Sequence, residues 1–263
     1  MSLSPYLRPP ALTRRTLRIW QRNRDVFVRT FRVNFLPPLL EPILYLLSLG
    51  FGLGVFVTEI EGVSYPEYIA PALLAISIMN AAFFETTYSS YVRMYFQKTF
   101  DAIIATPLSI EEVITGEILW GATRSFINVC IMLPVLVAFR VVDLPLSLVL
   151  IPFAFLAGLL FASIGMCFTA LTPNIETLNL PTFLFITPMF LFSGTFFPLS
   201  ILPVPIQIFA TLFLPLTHVV GICRMITLSQ VTPAILLSLG WIIAVAAIVF
   251  VLSVNLMKRR LIV

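Results

Sequence analysis

Polar positions along this chain are few and bunched, and six long apolar runs lie between them. They fall at about 35–57, 68–92, 117–139, 146–171, 180–197 and 233–257. Each is close to the ~20 residues that cross ~30 Å of hydrocarbon as a helix. The pattern predicts an all-α membrane protein with six transmembrane helices. A further apolar stretch, 198–230, is broken by Pro198, Pro203, Pro205 and Pro215. Irregular backbone at membrane depth has to be sheltered by protein, so this stretch is expected to be re-entrant between spans five and six. The expected division is an N-terminal segment 1–34, a membrane domain 35–257 and a basic tail 258–263.

Composition sharpens the picture. Only 11% of the 263 residues are charged, against about a quarter in soluble domains, and the mean hydropathy is +1.04. A soluble core is excluded in favour of a polytopic membrane protein. A pI near 9.2 would suggest nucleic acid in a soluble chain. Here the basic residues sit at the ends, so the implied partners are anionic membrane lipids and no nucleic acid is expected. Arg8, Arg14, Arg15, Arg18, Arg22, Arg24, Arg29 and Arg32 precede span one, and Lys258, Arg259 and Arg260 follow span six. The positive-inside rule then sets both termini in the cytoplasm. Within 11–32, Leu12, Leu17, Ile19, Trp20, Phe27, Val28 and Phe31 alternate with arginines such as Arg14, Arg18 and Arg22. That composition predicts an amphipathic helix lying in the headgroup plane. Cys130, Cys167 and Cys223 lie far apart inside apolar runs and read as small buried hydrophobes.

The most acidic stretch is 97–117, QKTFDAIIATPLSIEEVITGE. Phe100, Ile103, Ile104, Leu108, Ile110, Val113 and Ile114 recur at helical spacing. Ser109 and Glu112 have the S-x-x-E form of a capping box, so a helix is expected from Ile110, after a break at Thr106-Pro107. In the expected topology this connector is cytoplasmic. Two readings stand: a docking element for a cytoplasmic partner, or a connector packed on its own protein.

Ionisable residues within spans are costly and count as functional candidates. At 1.5 Å per residue, Glu85 and Arg124 sit at similar depth, and they are expected to pair, as a structural bridge or as part of a relay. In the re-entrant stretch, Thr217 and Arg224 fall on one helical face, next to Pro215 and the lone His218. They are expected near an outer exit, holding broken helices together or meeting an anionic headgroup. An intramembrane lipid-modifying enzyme would need a converging polar site, which the spans do not offer. A secondary transporter would show internal repeats and several midplane charges. The chain contains no G-x-x-x-x-G-K-[ST] phosphate loop, so no cofactor is expected on it, and work driven by ATP would need a second chain.

The segment LFSGTFFPLSILPVPIQIFATLFLPLTHVVGICR carries Ser193, Gly194, Pro198, Leu202, Pro203, Pro215, Leu216, Thr217, His218 and Arg224. In this it resembles the permease subunits of type-2 ABC exporters. EPILYLLSLGFGLG, GVSYPEYIAPALLA and FETTYSSYVRM look similar to the nodulation-factor (lipochitooligosaccharide) export permeases in particular. The resemblance implies a bacterial inner-membrane permease that pairs with a second copy of itself. It also implies two copies of an ATP-binding cassette ATPase that carry the ATP and magnesium. The implied cargo is an amphiphile, most readily a glycolipid or lipid-linked oligosaccharide, with a hydrophobic drug-like molecule as the alternative. It further implies that 100–117 is the coupling helix, with Phe100, Asp101, Ile104, Pro107, Glu111, Glu112 and Glu117 at the ATPase contact. The N-terminal helix, with Arg14, Arg18, Trp20, Arg22 and Phe27, and the loop 172–178 would add secondary contacts.

Overall fold

The computed structural model describes residues 9–10, 12–57 and 59–262; Arg8 and the rest of 1–8 lie outside them. The chain is a helical bundle. Helix α1 (Thr16–Arg29) is followed by α2 (Phe31–Leu53). A two-stranded hairpin, β1 (Glu59–Ile60) and β2 (Val63–Ser64), turns through Glu61 and Gly62, both at positive φ. That backbone matches a type I′ turn, which suits the twist of a tight hairpin. Then come α3 (Tyr65–Phe96), the short α4 (Thr99–Ile104), α5 (Ile110–Ala138) and α6 (Leu146–Leu171). The last third holds α7 (Glu176–Phe192), α8 (Val204–Phe213), α9 (Pro215–Thr227) and α10 (Ala234–Leu261).

Five helices, α2, α3, α5, α6 and α10, are long and apolar enough to cross a membrane. The fifth expected span, 180–197, takes a different form. Helix α7 has 17 residues, about 26 Å at 1.5 Å each, and includes a π-helical stretch, Thr182–Ile186. It stops at Phe192, and Gly194 at φ +72° turns the chain out of helix. Its flanks nevertheless reach opposite ends of the bundle. The Pro173 carbonyl accepts from the Tyr91 hydroxyl at 3.0 Å, near the end of α3, while the Gly194 carbonyl accepts from Arg224, which lies over the Tyr68 ring near the start of α3. The chain therefore runs from one end of the bundle to the other along α7.

Helices α8 and α9 meet at 91°. Pro215 lacks an N–H and pushes Leu214 into extended backbone, φ −100° and ψ 103°, so the first helix cannot run on. Both arms remain near the Tyr68 end: α8 follows Gly194 in the chain, and the end of α9 lines a small cavity with Glu67 and Arg140. The pair is a sharply bent one, the form of a broken span or of a re-entrant loop.

The other end of the bundle collects α1, the end of α3, the start of α5 and the ends of α6 and α10. Lys258 pairs with Glu111 there, and Arg260 donates to the Thr169 carbonyl. We call it the basic end. The chain enters and leaves the bundle at this end.

Without a hydrophobic drive between helices in lipid, close packing of small residues holds spans together. A Cβ on Gly158 of α6 would lie 2.9 Å from Ala122 Cα and from Ser125 Cβ of α5. Hydroxyls close the remaining gaps. Ser125 donates to the Ile78 carbonyl at 2.6 Å, and Thr169 to the Thr86 carbonyl at 2.7 Å, which joins α3, α5 and α6.

Helix α1 differs from a simple headgroup-plane helix. Its buried residues, Thr16, Ile19, Asn23 and Phe27, recur every three or four positions and face α5. The contact is tight enough that a Cβ on Gly116 would lie 2.5 Å from Ile19 Cβ. Leu17, Val26 and Val28 remain exposed, so the helix is apolar on two sides, one packed on protein and one open.

Candidate functional site

Four charged side chains converge inside the basic end. Glu85 sits where α3 changes from α-helical to π-helical winding, over Glu85–Ser89. Thr86 and Thr87 donate to the Ala82 and Phe83 carbonyls at 3.0 and 2.7 Å, which satisfies backbone acceptors where the ladder shifts. The wide turn decides who meets Glu85. Eight residues of ideal α-helix would leave Arg93 about 80° round from it; the π winding brings Arg93 back onto that face. Its Nη1 donates to Glu85 Oε1 at 2.9 Å, and its Nε donates to Glu117 Oε2 at 2.9 Å. Glu117, on α5, is 0% exposed. Ser90 Oγ and Asn23 Nδ2 complete its shell at 2.7 and 2.8 Å. Asn23 belongs to α1, so this one carboxylate ties α1, α3 and α5 together.

Arg124 lies a little apart. Its Nε is 3.6 Å from Glu85 Oε2 and its Nη2 donates to Asn34 Oδ1 at 3.2 Å. Phe27 covers one guanidinium face at 4.7 Å. Its Nε and Nη1 are buried and make no hydrogen bond. Residue counting placed Glu85 and Arg124 at one depth but missed Arg93, which bridges the two carboxylates. The missed signal was an arginine eight residues after an intramembrane glutamate, with Thr86, Thr87, Ser89 and Ser90 among the residues between them.

A cavity of about 290 Å³ opens beside this network, between α1, α2, α3 and α5. Arg22, Arg93, Arg124, Glu85, Asn34 and Trp120 are among the residues lining it. Burial lowers the pKa of Arg22, partly opposed by the negative charge of Glu117 and aided by the positive charge of Arg93.

The residues assigned by sequence to the connector divide into two sets. Asp101 and Pro107 are exposed, and Ile104 is half-buried. Phe100, Glu112 and Glu117 face inward and cannot be surface contacts. Phe100 is fully buried. Glu112 closes the capping box on Ser109, taking the Ser109 N–H at 2.8 Å, and accepts from Thr13. Glu111 is held by Lys258. These acids hold the connector to its own protein, because burying a carboxylate without donors is too costly to persist. Arg14, just before α1, and Arg18 on it are exposed, while the Trp20 indole N–H donates to Thr123 at 2.8 Å and its ring packs edge-on against Trp120. Phe27 meets Trp120 as well.

At the far end, His218 is held rather than free. Its Nε2 lies 2.8 Å from the Thr211 carbonyl, its Nδ1 is 3.3 Å from Ser238, and its ring stacks on Trp241 at 4.3 Å. It thereby pins α8, α9 and α10. Pro215 occupies the first turn of α9, where its missing N–H costs nothing. Arg224 donates to the Gly194 carbonyl at 2.9 Å and lies over the Tyr68 ring at 3.9 Å. Thr217 is buried nearby with its hydroxyl unpartnered. This arrangement is internal bracing of broken helices. Among the described residues no cluster of three or more His, Cys, Asp or Glu could hold a metal ion.

A bundle of membrane-length helices with a sharply bent far-end pair and a charged basic end fits a membrane permease. Residues 14–228 match the ABC-2 type transporter family, and the chain belongs to it. Among its relatives, Nodulation protein J of Rhizobium leguminosarum bv. viciae is 35% identical over 245 residues, covering 93% of this chain and 94% of the relative. Nodulation protein J of Rhizobium meliloti is 35% identical over 243 residues, covering 92% of each. The inner membrane transport permease YadH of Escherichia coli is 27% identical over 192 residues, 70% of this chain and 72% of the relative. The protein is a multi-pass membrane transport subunit, and its family implies association with an ATP-binding cassette ATPase.

Proposed function

We propose that this chain is the permease half of an ATP-driven exporter. Two copies form the pathway in the bacterial inner membrane, and two copies of a cytoplasmic ATPase hold the ATP and magnesium. The basic end, with both termini, faces the cytoplasm, as its arginines and lysine favour. The cargo is an amphiphile of the glycolipid or lipo-oligosaccharide class. That reading is supported by relatives named for nodulation over nearly the whole chain.

One observation carries the coupling role. The connector between α3 and α5 shows Asp101 and Pro107 to the outside, while Phe100 beside them is fully buried. The two helices it joins meet in the Arg93–Glu117 pair. A force on α4 therefore reaches the bundle through a buried side chain and an ion pair rather than through a loose loop. An ATPase docked on Asp101 and Pro107 would move α3 against α5.

The test is co-expression with the ATPase subunit and measurement of ATPase stimulation. Asp101→Lys is expected to abolish stimulation and co-purification while leaving thermal stability within about 1 kcal/mol, as for exposed charges generally. If Asp101→Lys binds and stimulates like the unaltered protein, the connector is not the docking site.

A further inference from the structure

We infer that the cavity beside the charge network binds the phosphate of a membrane lipid headgroup. Charge balance comes first. Glu117 and Glu85 are both engaged by Arg93, and Glu85 also faces Arg124 at 3.6 Å. Two carboxylates thus stand against the arginines Arg93, Arg124 and Arg22, which leaves one positive charge over. Among the described residues Arg22 has no ion-pair partner. Its nitrogens reach only the neutral Asn23 Oδ1, at 2.9 Å, and Thr99 Oγ1, at 3.5 Å. The surplus therefore lies at Arg22 and Arg124, which both line the cavity.

Unused donors come second. Arg124 Nε and Nη1 are buried without a hydrogen bond, although the guanidinium is held in place by Asn34 and Phe27. Nε faces Glu85 at 3.6 Å, so Nη1 is the N–H group to spare; a buried charged donor left unmade is expensive, and a guanidinium N–H suits a phosphate oxygen. The wall also supplies neutral donors in Gln97 and Ser89.

The setting favours a lipid over a free ion. Val26 and Tyr88 line the cavity and are also exposed, and Phe31 and Val33 at the start of α2 are exposed as well. A phosphate in the cavity would thus have apolar protein surface beside it for acyl chains. Soluble phosphate would gain nothing from that surface. The inference rests on the basic end lying at headgroup level and is independent of what cargo the permease moves.

The test uses the full chain in nanodiscs of phosphatidylcholine. Increasing shares of phosphatidylglycerol are expected to raise the Tm, and native mass spectrometry is expected to show a retained anionic lipid. Arg22→Gln and Arg124→Gln should each remove most of the shift and the retained lipid. Arg22→Gln leaves both glutamates paired, so it still reports if Arg124→Gln fails to fold. Inorganic phosphate added to the phosphatidylcholine discs is the second arm. If it reproduces the shift, the site takes phosphate from solution and the lipid assignment falls. If Arg22→Gln keeps the full lipid-dependent shift and the retained lipid, the cavity is not the site and the inference is overturned.

Discussion

Replacing Glu117 by glutamine tests the organisation of the basic end most directly. The side chain is wholly buried and accepts from Arg93, Ser90 and Asn23 at 2.9, 2.7 and 2.8 Å. Glutamine keeps the volume but turns one acceptor oxygen into an NH₂ group facing donors. Breaking a buried ion pair from one side typically costs about 3–5 kcal/mol. Arg93 keeps its 2.9 Å contact with Glu85, so the lower end, about 3 kcal/mol, is expected. For a chain of this size that lowers Tm by roughly 6–12 °C. The assay is thermal unfolding in detergent, read by the fluorescence of Trp20 and Trp120, which flank the α1–α5 contact. Asn23→Ala, which removes one hydrogen bond to the carboxylate, should cost less, about 1.5–3 kcal/mol. Arg93→Gln combined with Glu117→Gln should cost clearly less than the two singles summed, since residues in one network couple. A Glu117→Gln protein melting within about 2 °C of the unaltered one would refute the argument.

Further outcomes follow from particular contacts. Gly116→Leu cannot fit against Ile19, so α1 should lift from α5 and its arginines should become faster trypsin sites than in the unaltered protein. Gly158→Leu should separate α5 from α6, and overpacking of that kind costs about 1–3 kcal/mol or more, visible as a lowered Tm. Arg224→Lys keeps the charge but not the flat guanidinium over Tyr68 or the bond to the Gly194 carbonyl. It should lose about 1–2 kcal/mol of thermal stability, and equal stability would show that the bracing is not specific to arginine.

The long spans were legible because apolar runs of membrane length have few other uses. Their ends were less so. The start of α5 at Ile110, seven residues before the apolar run, was an exception, because the Ser109 and Glu112 capping box marks it in the sequence. The apolar pattern could not set where α7 ends or how its backbone winds, since a π turn and the glycine turn at Gly194 leave hydrophobicity unchanged. At the site, depth counting set Glu85 and Arg124 level, and 3.6 Å separates them. Arg93 escaped because spacing rules assume 3.6 residues per turn, and the contact depends on a turn that breaks the rule. The family resemblance grouped Glu117 with the docking segment, yet the fold turns it fully inward.

The final stretch of α3 is wound wide twice, over Glu85–Ser89 and again over Val92–Phe96. Such a stretch stores an extra residue as slack in the coil. Drawing one wide turn back to ordinary pitch would rotate everything beyond it by about 100°, one residue's worth of helix. Arg93 would swing off its carboxylates, and the connector that begins at Thr99 would be turned like a key rather than pushed like a lever. Such a change would act by torsion alone, with no tilt asked of a span that its neighbours pack closely along its length.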